Sequence, residues 1–143
     1  MLVATVAIAL GAPAAAAPPL APEITVYKTP TCGCCVAWME HLEKEGFRVR
    51  GIDVVDLAPY KGKARIPTAL ESCHTAFVGG YVVEGHVPGA AVKRLLAEKP
   101  AILGLVVPGM PIGSPGMEVG SRKDPYAILA LERDGTTRVY EQR

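Results

Sequence analysis

The chain has 143 residues, half of them hydrophobic, with 15 Lys and Arg against 14 Asp and Glu and a formal net charge of +1. That balance gives no electrostatic footprint for nucleic acid or an anionic membrane surface, so neither is expected as a partner. The informative count is the cysteines: four in all, three of them at Cys32, Cys34 and Cys35.

Residues 1–17, MLVATVAIALGAPAAAA, carry no charged side chain and hold an apolar run from Leu2 to Leu10. The Ala-rich end at Ala17 offers A-x-A cleavage sites, so the segment reads as a secretory signal peptide and the mature protein as exported. No Lys or Arg follows Met1, which leaves room for a true start upstream. A spanning helix needs about 20 apolar residues. Pro13 and Pro18 interrupt this run, so no membrane span is expected in the mature chain. Residues 18–23, PPLAPE, form a short stiff tether, and residues 24–143 suffice for one compact domain.

Ile24–Lys28 alternates as a β-branched strand, and Thr29-Pro30-Thr31 turns the chain. Thr31 is placed to N-cap a helix from Gly33 to Glu45, with Val36, Met39 and Leu42, together with Cys35, as its apolar stripe and Gly46 as its stop. Phe47–Val55 reads as a second strand, completing a βαβ unit. Tyr60–Lys63 has the length of one helical turn, and Ile66-Pro67-Thr68 leads toward Cys73. His74–Val78 and Tyr81–Glu84 flank Gly79-Gly80, a two-residue hairpin signal. Pro88 or Gly89 to Glu98 is predicted as a second helix with Val92, Leu95 and Leu96 buried, closed by Lys99-Pro100. Val107–Gly120 is too rich in Pro and Gly for a helix, so its order must come from packing or a ligand. Tyr126–Arg133 and Thr136–Glu141 then form a hairpin around Asp134-Gly135.

A helix N-terminus gathers free N–H donors and the positive end of the helix dipole, which together stabilise a thiolate. Cys32, Cys34 and Cys35 fall in that first turn, so their pKa values are expected to be depressed. Strand, C-x-x-C turn and helix in this order are the thioredoxin arrangement, and Ile66-Pro67-Thr68 resembles the Pro-Thr before the third strand of that fold. The fold class is therefore α/β and thioredoxin-like, a central mixed sheet with flanking helices and a C-terminal β-hairpin. In that topology Cys73 approaches the cysteine turn.

Soft thiolates select Cu(I), Zn or iron–sulfur clusters. Four cysteines could close a zinc tetrahedron, but the i, i+2, i+3 spacing makes it awkward for one ion to take all three local sulfurs. Thiolates bridging several Cu(I) ions relieve that strain. Met110 and Met117 bracket the Pro/Gly loop, and a thioether suits Cu(I) better than Zn(II); His86, in Glu-Gly-His-Val-Pro, is a further ligand candidate. The candidate metal set is thus Cys32, Cys34, Cys35, Cys73, Met110, Met117 and His86. His74 reads equally as a ligand or as a strand residue bonded to backbone. His41, beside Glu40 and Glu43, reads as a solvated helix face, and Trp38 and Met39 as packing.

Cys32-Gly33-Cys34-Cys35, Ser72-Cys73-His74-Thr75-Ala76, Val83-Glu84-Gly85-His86-Val87-Pro88 and the run from Pro108 to Glu118 occur here in order. Together they resemble the exported CopG-type copper-resistance proteins, over roughly Ile24 to Tyr140, with no departure at the motif positions. The resemblance implies a thioredoxin-like fold, Cu(I) bound at the cysteines, and a periplasmic role in copper handling beside other exported copper-handling proteins. Cycling between Cu(I) and Cu(II) would make the protein a copper oxidoreductase, which the sequence leaves open. The rival reading is a thiol–disulfide oxidoreductase using a Cys32–Cys35 disulfide with Cys35 buried as the resolving thiol. Cys34 argues against it, because a third thiol beside the pair invites scrambling.

Overall fold

Alternation sets the first strand. In the computed structural model, which describes residues 22–143, Ile24 and Val26 of β1 (Glu23–Lys28) are fully buried, and the residues between them lie on the other side of the sheet. The expected signal peptide lies outside the described residues, as does most of the tether. Glu23, assigned to the tether, already pairs within β1.

The chain then turns with the Cys32 N–H donating to the Thr29 carbonyl at 3.2 Å, and the helix starts at Gly33 as expected. Cys32, not Thr31, is consequently the N-cap of α1 (Gly33–Lys44), and no side chain caps it. The buried stripe of α1 is Cys35, Trp38 and Leu42. Val36 is 42% exposed, contrary to the expected stripe, because the large Trp38 ring takes the inward face. Gly46, at φ +91°, ends the helix as expected: its N–H donates to Glu43 O and that of Phe47 to Leu42 O, the paired bonds of a Schellman motif.

The elements that follow are β2 (Arg48–Asp53), α2 (Ala58–Ala64), a 3-10 turn (Thr68–Leu70), β3 (Thr75–Val78), β4 (Tyr81–Glu84), α3 (Gly89–Glu98), β5 (Gly104–Val106), β6 (Ala127–Leu131) and β7 (Thr137–Gln142). They form one seven-stranded sheet in the order β2-β1-β3-β4-β5-β6-β7. It is parallel at β1/β2 and β4/β5 and antiparallel elsewhere. A mixed α/β fold with flanking helices and a C-terminal hairpin is therefore present.

Helices α1 and α3 bury Trp38, Leu42, Val92 and Leu95 against Ile24, Val26, Val83, Leu105 and Ile128 on one face. The opposite face holds a smaller cluster of Ala64 from α2 with Ile66, Val82, Val106 and Leu131. His41, expected on a solvated face, is partly buried and hydrogen-bonded. Its Nε2 accepts the Gly89 N–H at 3.0 Å, so α1 supplies the cap that α3 lacks from its own sequence.

The register positions the site. The pairings Tyr27–Thr75, Thr75–Glu84 and Glu84–Val106 bring the C-terminal ends of β1, β4 and β5 beside the N-terminal end of β3. Four segments distant in sequence leave the sheet at that one end: the cysteine turn, Ser72-Cys73-His74, Gly85-His86 and Pro108-Gly109-Met110.

Candidate metal centre

Each of those segments delivers a side chain that could ligate a metal. Cys32 and Cys35 form a disulfide, with Cα atoms 5.3 Å apart, and Cys35 is fully buried at the start of α1. Their sulfurs have no thiol to ionise in this state, so the expected depression of pKa does not apply to them. Cys34 and Cys73 are free. The Cys34 Sγ lies 3.6 Å from Cys32 Sγ, 3.8 Å from Cys73 Sγ and 3.9 Å from the Met110 Sδ. All four cysteine sulfurs fall within 4.8 Å of one another.

Separations of 3.6 and 3.8 Å match the edge of a tetrahedron whose corners sit about 2.3 Å from a central ion, the usual metal–thiolate length. The donors are soft, and Met110 adds a thioether at a position 49% exposed, on the solvent side of the cluster. Met117, in contrast, is held by backbone bonds: its N–H donates to Ser114 O at 2.8 Å and its carbonyl accepts from Gly113 N at 2.9 Å.

Behind Cys73 stand two histidines, both fully buried. His74 stacks on Trp38 at 4.2 Å between ring centroids. Its Nε2 is 3.0 Å from the Gly85 carbonyl oxygen and its Nδ1 is 3.3 Å from Cys73 Sγ. The ring of His86 is turned the other way, with Nδ1 2.7 Å from the Pro115 carbonyl oxygen and Nε2 3.0 Å from Cys73 Sγ. A carbonyl only accepts, so the nitrogen facing it carries the hydrogen and the other is bare. Cys73, His74 and His86 form a second compact donor group that shares the Cys73 sulfur with the first.

Burial, and after it the Cys34 thiol alongside, pushes Cys73 up to about 12. Without a cation it is therefore a thiol, and metal entry must displace its proton. Burial also lowers the pKa of both histidines, that of His74 to about 3 with His86 as the next cause, which favours the neutral rings.

The cluster is anchored from below. Lys61, buried on α2, donates to Glu84, to the Ser72 carbonyl at 3.0 Å and to Thr75 Oγ1 at 3.2 Å. Glu84 accepts in turn from the Ser72 N–H at 2.8 Å and from Thr75 Oγ1 at 2.6 Å. This clamp fixes the backbone on both sides of Cys73 and His74. Neither Lys61 nor Glu84 was expected at the site. Glu84 at the end of the apolar run Tyr81–Val83 was the available signal, whereas nothing local marks Lys61 among the Lys and Gly of α2.

The Pro/Gly loop is ordered by packing. Ser72 Oγ donates to Gly109 O at 2.5 Å, the buried Ser114 bonds back to Pro111 O at 2.6 Å, and Pro115 O receives the His86 hydrogen. At Gly116, φ +88°, an added Cβ would meet Cys34 O and Trp38 N at 2.8 Å. The loop therefore rests directly on the first turn of α1.

Residues 70–117, which hold Cys73, both histidines, Met110 and the loop, match the model of a family described as a protein of unknown function, DUF411. Two solved structures named copper resistance protein CopG, forms 1 and 2, are each 41% identical to the chain. Each alignment covers 86% of this chain and 98% of the CopG chain, with a TM-score of 0.82. No curated protein sequence matches.

Proposed function

The chain belongs to the family of the copper resistance protein CopG, and from that premise we propose that it is an exported, periplasmic copper-handling protein. Its reduced cysteines hold Cu(I), with Cys32, Cys34, Cys35 and Cys73 as thiolate ligands and Met110 and His86 completing the shell. Residues 1–17 are its signal peptide. The observation that carries this reading is Cys34, whose sulfur lies within 4 Å of three other soft sulfurs from three separate segments. A sulfur so placed can bridge ions, which favours more than one Cu(I) per chain. The same geometry is redundant for a dithiol that only exchanges disulfides. Because Cys32 and Cys35 are joined, copper loading at all four thiolates first requires their reduction.

That disulfide, with Cys35 buried, favours a second reading: a thiol–disulfide oxidoreductase that uses the pair directly. Cys34→Ser separates the two. The copper reading predicts that the reduced variant retains clearly fewer Cu(I) ions per chain than wild type against a competing chelator, and that Zn(II) does not displace those held by wild type. An unchanged copper load in Cys34→Ser, together with full insulin disulfide reduction, would hand the site to the second reading.

A further inference from the structure

A cavity of about 420 Å³ lies between α1, the start of α3 and the segment from Gly113 to Tyr126. A volume of that order takes a small organic molecule. Three of the donors lining it have no acceptor among the described residues. Nε2 of His41 takes the Gly89 N–H, and burial lowers the pKa of this ring, which favours the neutral form with its hydrogen on an unpaired Nδ1. The Tyr126 ring packs against the core, and burial raises its pKa, so the hydroxyl stays a phenol, also without a partner. The Lys123 ammonium has no carboxylate partner, and its stem lies over Gly113. The acids on the same walls are engaged already, Glu45 with Lys93 at 2.7 Å and Asp124 with Arg122 at 3.2 Å. Glu118, close enough to act on both rings, holds the Gly116 N–H at 2.9 Å. The cavity is therefore short of acceptors, not of donors, and Pro88, Ala90 and Pro115 make its apolar walls.

We propose that this cavity binds a small organic carboxylate, its charged group received by Lys123, the His41 Nδ1–H and the Tyr126 hydroxyl, and its apolar body laid against Pro88 and Pro115. A carboxylate offers about four lone-pair positions on two oxygens, enough for three donors at once. Hydrogen bonds to an ionised acceptor are also stronger than neutral ones. A neutral amide of the same shape would bring further donors to a site that lacks acceptors. A bare inorganic anion would leave the proline faces uncovered. None of the three donors belongs to the cysteine cluster. The Pro/Gly loop partitions the two sites, since Pro115 lines the cavity while its carbonyl oxygen takes the His86 hydrogen. The proposal does not rest on the copper reading, because no cysteine takes part in it.

The test uses the metal-free disulfide form of the protein and phenylacetate as the probe, followed by amide nitrogen–proton NMR. Saturable shifts are expected, centred on Ala90, Gly113 and Tyr126. Phenylacetamide should bind at least about tenfold more weakly, and so should phenylacetate to Lys123→Met or Tyr126→Phe, since each change removes one hydrogen bond to a charged group. Both variants keep most of the side chain's bulk, and His41 is left in place because it caps α3. Two further arms separate sources of the same negative charge: inorganic phosphate, and N-acetylglycylphenylalanine, whose carboxylate ends a peptide. Both should bind more weakly than phenylacetate. Absence of saturable shifts, an amide that binds as well as the acid, or wild-type affinity in both variants overturns the proposal. Tighter binding of phosphate or of the peptide overturns it as well. Copper is absent and the disulfide intact throughout, so the outcome is independent of whether the thiolate group holds Cu(I).

Discussion

Cys73 is the residue on which the centre turns, because its sulfur touches the thiolate group on one side and two imidazoles on the other. Its surroundings make a proton costly to remove and a cation rewarding to admit. The same burial writes a pH signature into the metal-free protein through His74. That ring, facing His86 and with Lys61 nearby, has its pKa lowered from 6.5 to about 3, while the unfolded chain titrates at the ordinary value. Between those values the unfolded state binds a proton that the native state refuses. Stability contributed by the neutral ring is therefore full above about pH 6.5 and is lost as pH falls, by about 1.4 kcal/mol per unit for this one group. His86 and His41 are shifted in the same direction and add to the trend. Chemical denaturation of the metal-free protein should show a lower midpoint at pH 5 than at pH 7, and His74→Gln should flatten part of that slope. A slope identical in the variant would contradict the assignment.

At the scale of elements, two connections do the positioning. The first is the Pro/Gly loop, which crosses the first turn of α1 with no room for a side chain at Gly116. Gly116→Ala should lower the thermal midpoint, with strain of about 1–3 kcal/mol from the positive φ alone and more from the contact with Cys34 and Trp38 backbone. It should also weaken copper retention; a variant with wild-type melting would show that the loop is not seated there. The second is the Lys61–Glu84 clamp from α2 to β4. Glu84→Gln leaves a buried ammonium without its counter-charge, a loss of about 3–5 kcal/mol, and Lys61→Met combined with it should restore part of that loss. The elements differ in how well the sequence announces them. Gly46, Gly79-Gly80 and Asp134-Gly135 punctuate α1 and both hairpins because their turn chemistry is local. β5 went unseen because three residues, Gly104–Val106, show no period, and its pairing with β4 and β6 is purely tertiary. Val36 was expected inside and lies half exposed, because spacing alone does not say which side chain fills the interior beside Trp38. The role of His41 as a cap for α3 is likewise fixed only by packing between two helices.

For the whole molecule, the seven-stranded order explains why four separated motifs make one site: the strands that carry them end side by side. The clustering of Cys32, Cys34 and Cys35 was legible as spacing, and the approach of Cys73 followed from the expected topology. The bare nitrogens of His74 and His86 were not legible, because their tautomers depend on carbonyls of Gly85 and Pro115 that only the folded chain brings near. Helix α1 thus presents its cysteines to a rigid rear wall of buried rings, with Met110 on the open side. Under the proposed function, reduction of the Cys32–Cys35 disulfide turns this arrangement into a polynuclear Cu(I) site. An anaerobic Cu(I) titration of the fully reduced protein, with copper per chain determined after passage against a strong competing chelator, is the decisive experiment. More than one retained copper per chain is expected, falling when the disulfide is reformed beforehand; a reduced protein that gives up all its copper to the chelator would contradict that function.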